Sequence, residues 1–131
     1  MNDQVVFWAP DDSGLQVLKD AMPEGVEIDW VNSSGPLEES TEALQKTKAI
    51  ILGGALVFDL ELAAKCPELR LIQTTSAGTN QLDKAALGEL GIKVSNNGGG
   101  NAVAVAEHTI ALMIGVYRKL QLQFKSVQDG K

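Results

Sequence analysis

The chain has 131 residues, 44% of them hydrophobic, with a formal net charge of −6. That length suits a single domain, residues 1–131, with a real core, and the composition is that of a globular chain rather than a disordered one. The acidic balance argues against a nucleic-acid partner, because phosphate neutralisation needs a basic face, but it leaves open a small anion held by local donors.

Gln4 to Ala9 is a near-continuous apolar run of strand length, as buried parallel strands are. Pro10 to Ser13 reads as a loop, with Asp12 or Ser13 capping a helix through Met22 that turns Leu15, Leu18 and Met22 inward. Pro23-Glu24-Gly25 ends it. Val26 to Val31 alternates and reads as a strand nearer the sheet edge, followed by a turn at 32–36. A polar helix with few anchors is expected over Leu37 to Thr47, as a solvated cover. Lys48 to Gly54 is a third buried strand ending in two glycines, and a helix from Phe58 to Cys66 is closed by Pro67.

Leu69 to Thr75 is β-rich and stops at Ser76-Ala77-Gly78. The spacing predicts a helix over Gln81 to Leu90, with Leu82, Ala85, Ala86 and Leu90 on one face and Gly91 as its stop. Lys93 to Asn97 is a fifth short strand. Gly98-Gly99-Gly100 follows, and Asn101 is placed to cap a last helix of about 101–120. Its stretch Thr109 to Tyr117 is apolar nearly all round, which in a soluble helix means burial on more than one side. A membrane span would need roughly 20 apolar residues, and Glu107, His108 and Arg118 bound this one too tightly. The tail from Gln121 to Lys131 is polar, either helix end or fraying terminus.

Five strand–helix repeats predict an α/β fold: a parallel, doubly wound sheet with helices on both faces. The flavodoxin-like strand order 2-1-3-4-5 is the choice among such arrangements. In that fold the strand C-termini share one edge, where ligands bind. Gly53-Gly54, Ser76-Ala77-Gly78 and Gly98-Gly99-Gly100-Asn101 all fall at such ends, and small residues there expose N–H groups able to hold a carboxylate. Glycine turns at strand ends are also common for structural reasons alone. Cys66 stands alone, so there is no disulfide framework and no thiolate metal cluster, and it reads as a small helical residue. No metal-binding pattern appears. The start MNDQVVFWAP has no basic n-region, so no secretory signal is read and a reducing cytoplasm is expected.

The runs SAGTNQLD and GIKVSNNGGGNAVAVAEHTIALMIGVYRKL resemble the D-isomer-specific 2-hydroxyacid dehydrogenases, over about residues 69 to 120. The NAVAVAEHTIAL segment is the most specific part. Asn80 departs from the pattern, since many members carry Asp there. The resemblance implies that Ser76, Ala77 and Gly78 bind substrate, with the Ala77 and Gly78 amides on its carboxylate beside an Arg from elsewhere. It implies a substrate contact for Asn101, as in the formate-dehydrogenase-like members, and a place near the nicotinamide for Val105. The helix 101–120 corresponds to one at the family's domain boundary and dimer interface, so a homodimer is expected. His108 matches a helix position rather than the family's proton donor and, like Glu107, is taken as structural.

Family members continue into a nucleotide-binding domain with a G-x-G-x-x-G loop, then an Arg, a Glu and a His that carry the chemistry. Lys131 comes before any of these, so the chain is expected to be the substrate-binding portion of a longer enzyme, without catalytic residues and inactive alone. The full enzyme would use NAD or NADP on a small 2-oxo or 2-hydroxy acid, with no cofactor bound by this chain itself. GGGNAV is not a dinucleotide fingerprint, because Val103 stands where the third glycine or alanine belongs. Two other classes compete. One is a stand-alone flavodoxin-like module acting by binding or dimerisation. The other is a phosphoacceptor receiver domain, which Asp11 and Asp12 suggest but which lacks an Asp at the third strand's end.

Overall fold

A computed structural model describes residues 3–35, 41, 43–53 and 58–131. The chain divides into two compact units, residues 1–98 and 99–131. The first holds five parallel strands: β1 (Asp3–Ala9), β2 (Val26–Asn32), β3 (Ala49–Leu52), β4 (Leu71–Thr74) and β5 (Lys93–Ser95). Their order is β2-β1-β3-β4-β5, the flavodoxin-like arrangement expected. The register aligns Val5 with Ile28 and Ala49, Ala49 with Leu71, and Leu71 with Lys93, so the strands run abreast and end together.

The period-2 alternation of β1 seeds a core on each face. Val6 and Trp8 join Leu44, Ile50, Leu52, Leu62, Ile72 and Leu87 in the larger cluster. Phe7 and Ala9 point the other way, to Ile28, to Leu15 and Leu18 of α1 (Leu15–Ala21) and to Met22 at its C-cap. The inward triad of α1 is therefore as its spacing predicts, but its cap is not. Gly14 occupies the N-cap without a side-chain bond, while the Asp11 carboxylate turns back to accept the Ser13 N–H at 3.0 Å.

Helices on the larger face differ from expectation for local reasons. In the helix expected over 37–47, residues 36–40 and 42 lie outside those described, whereas residues 43–45 are helical. Leu44 is completely buried, so this segment is anchored rather than merely solvated. α2 is Leu60–Ala64, shorter than expected because Asp59 caps it by accepting the Glu61 N–H at 2.8 Å. Phe58 precedes the helix and packs edge-on against Trp8, with ring centroids 6.0 Å apart. α3 is Lys84–Glu89, starting three residues later than the apolar spacing suggests, because Asp83 caps it through the Ala86 N–H. That start swings Leu87 inward, fully buried, and leaves Ala85 exposed and Leu90 45% exposed. Gly91 ends the helix at φ 77°, a left-handed position that favours glycine.

The second unit is two helices, α4 (Ala102–Tyr117) and α5 (Leu120–Gln128). The break comes at Lys119, which adopts φ 54°, so the last long helix stops at Tyr117 and the tail forms a second one. No residue of α4 is buried within this chain. Val116 is 79% and Tyr117 88% exposed, so the burial its composition demands is not supplied here. Among the described residues no helix is long and apolar enough to cross a membrane.

Gly53 is where β1 and β3 constrain each other most tightly. A Cβ there would stand 2.8 Å from Ala9 Cβ and 2.9 Å from the Phe7 ring, whereas one on Gly78 would meet nothing within 4 Å. Gly53→Ala is expected to lower stability by about 1–3 kcal/mol through overpacking, and Gly78→Ala to leave the urea midpoint nearly unchanged. Equal midpoints for the two variants would refute this packing account.

Candidate functional site

The common register gathers the strand C-termini of the first unit on one edge, and backbone bonds carry the ladder slightly beyond each strand. The Gly53 N–H donates to Trp8 O at 2.9 Å, Thr75 N–H to Leu52 O at 3.0 Å, and Asn97 N–H to Ser76 O at 3.1 Å. Gly53 is buried, packed closely against Phe7 and Ala9. Gly54 lies outside the described residues.

The Ser76-Ala77-Gly78 loop is different. Ala77 and Gly78 are exposed and Ser76 half-buried. Among the described residues, no protein acceptor takes the N–H groups of Ser76, Ala77 or Gly78. The carbonyls of the same loop are all engaged. Ser76 O accepts the buried Thr74 hydroxyl at 2.7 Å as well as the Asn97 N–H. Ala77 O accepts Asn96 Nδ2 at 2.7 Å, Gly78 O accepts the Ser76 hydroxyl at 3.2 Å, and Thr75 O accepts Asn97 Nδ2 at 3.5 Å. With the carbonyls fixed this way, the Ala77 and Gly78 N–H groups are left without a protein acceptor among the described residues, and two adjacent free N–H groups suit an anionic oxygen pair. Backbone amides supply partial positive charge without a titrating group, so the chemistry of such a pair does not change across the neutral range.

Asn96 and Asn97 carry this arrangement, and a reading based on periodicity misses them. The signal is two consecutive asparagines just past a strand, residues whose side-chain amides bond readily to nearby backbone. Asn101 and Val105 belong to the second unit. Asn101 stands at the N-cap of α4, but its side chain makes no capping bond. Only its carbonyl is used, accepting the Val105 N–H at 2.9 Å. Val105 is 54% exposed, and its carbonyl accepts the Thr109 hydroxyl at 2.7 Å. Glu107 and His108 are exposed in the middle of α4, and their side chains make no hydrogen bond or ion pair among the described residues. Cys66 is buried and donates to Leu62 O at 3.1 Å, and burial pushes its thiol pKa up, away from reactivity.

Residues 5–127 match the D-isomer specific 2-hydroxyacid dehydrogenase catalytic domain. The chain belongs to that family. It is 33% identical over 107 residues to a D-3-phosphoglycerate dehydrogenase of Archaeoglobus fulgidus, covering 82% of this chain and 20% of that protein. It is also 33% identical over 102 residues to a putative 2-hydroxyacid dehydrogenase of Haemophilus influenzae, covering 78% and 32%. Its fold matches a 2-hydroxyacid dehydrogenase from Ketogulonicigenium vulgare over 100% of this chain and 41% of that one, with TM-score 0.80 at 23% identity. A glyoxylate reductase from Paecilomyes thermophila gives TM-score 0.76 at 23% identity, covering 99% and 43%. The chain thus spans about a fifth to a third of these curated relatives. Family membership favours the oxidoreductase reading over the stand-alone module.

The residues here do not fit a dinucleotide site. Gly99 lies in a turn at φ 87°, Val103 is 73% exposed on α4, and no strand follows β5 among the described residues, so the glycines open no βαβ unit.

The two asparagines yield a direct test. Asn96→Ala removes the donor on Ala77 O, worth about 1 kcal/mol to the local closed state. The Asn97 amide, bonded to Ser76 O, is expected to exchange several-fold faster, and the order parameters of Ala77 and Gly78 to fall below those of β4. Unchanged exchange and order would show that the loop is held some other way.

Proposed function

We propose that residues 1–131 form the substrate-binding part of an NAD- or NADP-dependent dehydrogenase that interconverts a 2-oxo acid and a D-2-hydroxy acid. The observation that carries this reading is the loop at Ser76-Ala77-Gly78, with every carbonyl engaged and its N–H groups open to solvent. The Ala77 and Gly78 amides hold the substrate carboxylate, and Asn101 contacts the substrate. Val105 borders the nicotinamide that a separate nucleotide-binding domain brings. That domain supplies the Arg, Glu and His of the chemistry, and in this reading the chain alone does not turn over. A reducing, cytoplasmic setting agrees with a single buried cysteine.

Titrating the 15N-labelled chain with D-glycerate is expected to move the amide signals of Ala77 and Gly78, while the pure chain oxidises no NADH with glyoxylate or hydroxypyruvate. Turnover would overturn the assignment of the chemistry to another domain. Shifts confined to other residues would overturn the carboxylate site.

The same reading makes α4 an interface in a homodimer. Its support is an apolar surface from Val103 to Tyr117 that the chain itself leaves exposed, including Ile110, Met113 and Ile114. Ile114, 54% exposed, can be changed without opening a core. Sedimentation should give a dimer for the native chain and a monomer for Ile114→Asp. A dimer that survives the substitution would exclude this face.

A further inference from the structure

Beside the Ser76-Ala77-Gly78 loop lies a cavity of about 290 Å³, formed where β1, β3 and β4 end. Phe7, Pro10, Asp11, Gly53 and Thr75 are in its wall. Thr75 directly precedes the loop, so the cavity wall adjoins the proposed carboxylate donors in sequence. Among the described residues its lining holds one charged side chain, Asp11, and no Lys, Arg or His.

The distribution of charge along the sequence makes the same point more widely. Among the described residues, the connections that lead from these strand ends toward the next helix, 10–14, 58–59, 75–83 and 96–101, contain the acids Asp11, Asp12, Asp59 and Asp83 and no base, with Lys84 following as the first residue of α3. Three bases of the first unit stand instead where strands begin: Lys48 precedes β3, Arg70 precedes β4 and Lys93 opens β5. Lys84, at the start of α3, donates to Thr79 Oγ1 at 3.2 Å and is not in the cavity wall.

We propose that this cavity selects against 2-oxo and 2-hydroxy acids that carry a second anionic group, with Asp11 as the specificity-determining residue. The inference rests on the carboxylate reading of the Ala77–Gly78 loop and narrows its substrate class to monoanions with an uncharged distal group. With the carboxylate on the loop, a distal phosphate or second carboxylate entering the cavity would meet the Asp11 carboxylate without a compensating cation. A hydroxyl, hydrogen or short alkyl group would meet the Phe7 ring and Pro10 at no such cost. Asp11 is held in place by the Ser13 N–H. Hydrogen bonds from Ser13 also keep its carboxyl below the usual carboxylate range, so it is charged at neutral pH.

The test compares two ligands that share a skeleton, D-glycerate and 3-phospho-D-glycerate, titrated into the 15N-labelled chain at low salt and followed at the Ala77 and Gly78 amides. D-Glycerate is expected to bind several-fold more tightly, the scale of one like-charge contact at a solvent-exposed carboxylate. The ratio should shrink when sodium chloride is raised to about 0.5 M, where the screening length falls to a few ångströms. Asp11→Asn keeps an oxygen acceptor for the Ser13 N–H while removing the charge, and should bring the ratio to within about twofold. A phosphorylated ligand that binds as tightly as D-glycerate, or a ratio indifferent to both salt and Asp11→Asn, overturns the selectivity while leaving the carboxylate site standing. If neither ligand moves the Ala77 and Gly78 signals, the carboxylate site itself falls, and the selectivity with it.

Discussion

The close approach of β1 and β3 governs the first unit. β1 has side chains in both cores, and its neighbour β3 ends at a glycine because the Phe7 ring and Ala9 Cβ already fill the space a side chain would need. That contact fixes where the two strands stop relative to each other. The parallel register carries the alignment to β4 and β5. Only because four strands stop together do Pro10, Gly53, Thr75 and Asn96 fall on one edge, and the candidate site is a consequence of that edge.

Strand order and the two-faced core were legible in the sequence because hydrophobic burial is periodic and periodicity survives in one dimension. The continuous apolar runs of β1 and β3 and the alternation of β2 gave central and edge positions that the sheet repeats. Helix starts were less legible. α3 begins where Asp83 accepts the Ala86 N–H rather than where the apolar spacing begins, and that shift of three residues exchanges Leu90 for Leu87 as the buried anchor. The turn at Lys119 was not legible at all, since a non-glycine residue at positive φ leaves no mark in composition. At the site, Ser76, Ala77 and Gly78 stood out as small residues after a strand. Asn96 and Asn97 did not, because side-chain-to-backbone bonds across about 20 residues of sequence have no period to detect.

The second unit shows how composition can be read correctly and still lack its explanation inside the chain. A helix of 16 residues, apolar on nearly every side, has to be covered, since each apolar area left in water forfeits roughly 25 cal/mol per Å². α5 is amphipathic, with Leu120, Leu122, Phe124 and Val127 among its residues, yet those too remain at least 37% exposed. The expectation of burial on several sides follows from elementary hydration, and on the proposed reading a second copy of the chain satisfies it.

Charge and donors at the strand ends work in opposite senses, and the opposition defines what this unit can do. The loop at Ala77 and Gly78 offers neutral dipoles, while Asp11 and Asp12 follow β1 at the same edge, Lys48, Arg70 and Lys93 lie at strand starts, and Lys84 is bonded to Thr79 just past the loop. On the proposed reading, long-range fields from this unit supply little attraction for an anionic substrate. On the proposed reading the division of labour follows: amides held by Asn96 and Asn97 orient a carboxylate at short range, and attraction and charge neutralisation come from a cation on another domain. An orienting surface of this kind needs rigidity more than charge. That is why the carbonyls of a four-residue stretch, Thr75 to Gly78, are each engaged while the Ala77 and Gly78 amides are left without a protein acceptor among the described residues.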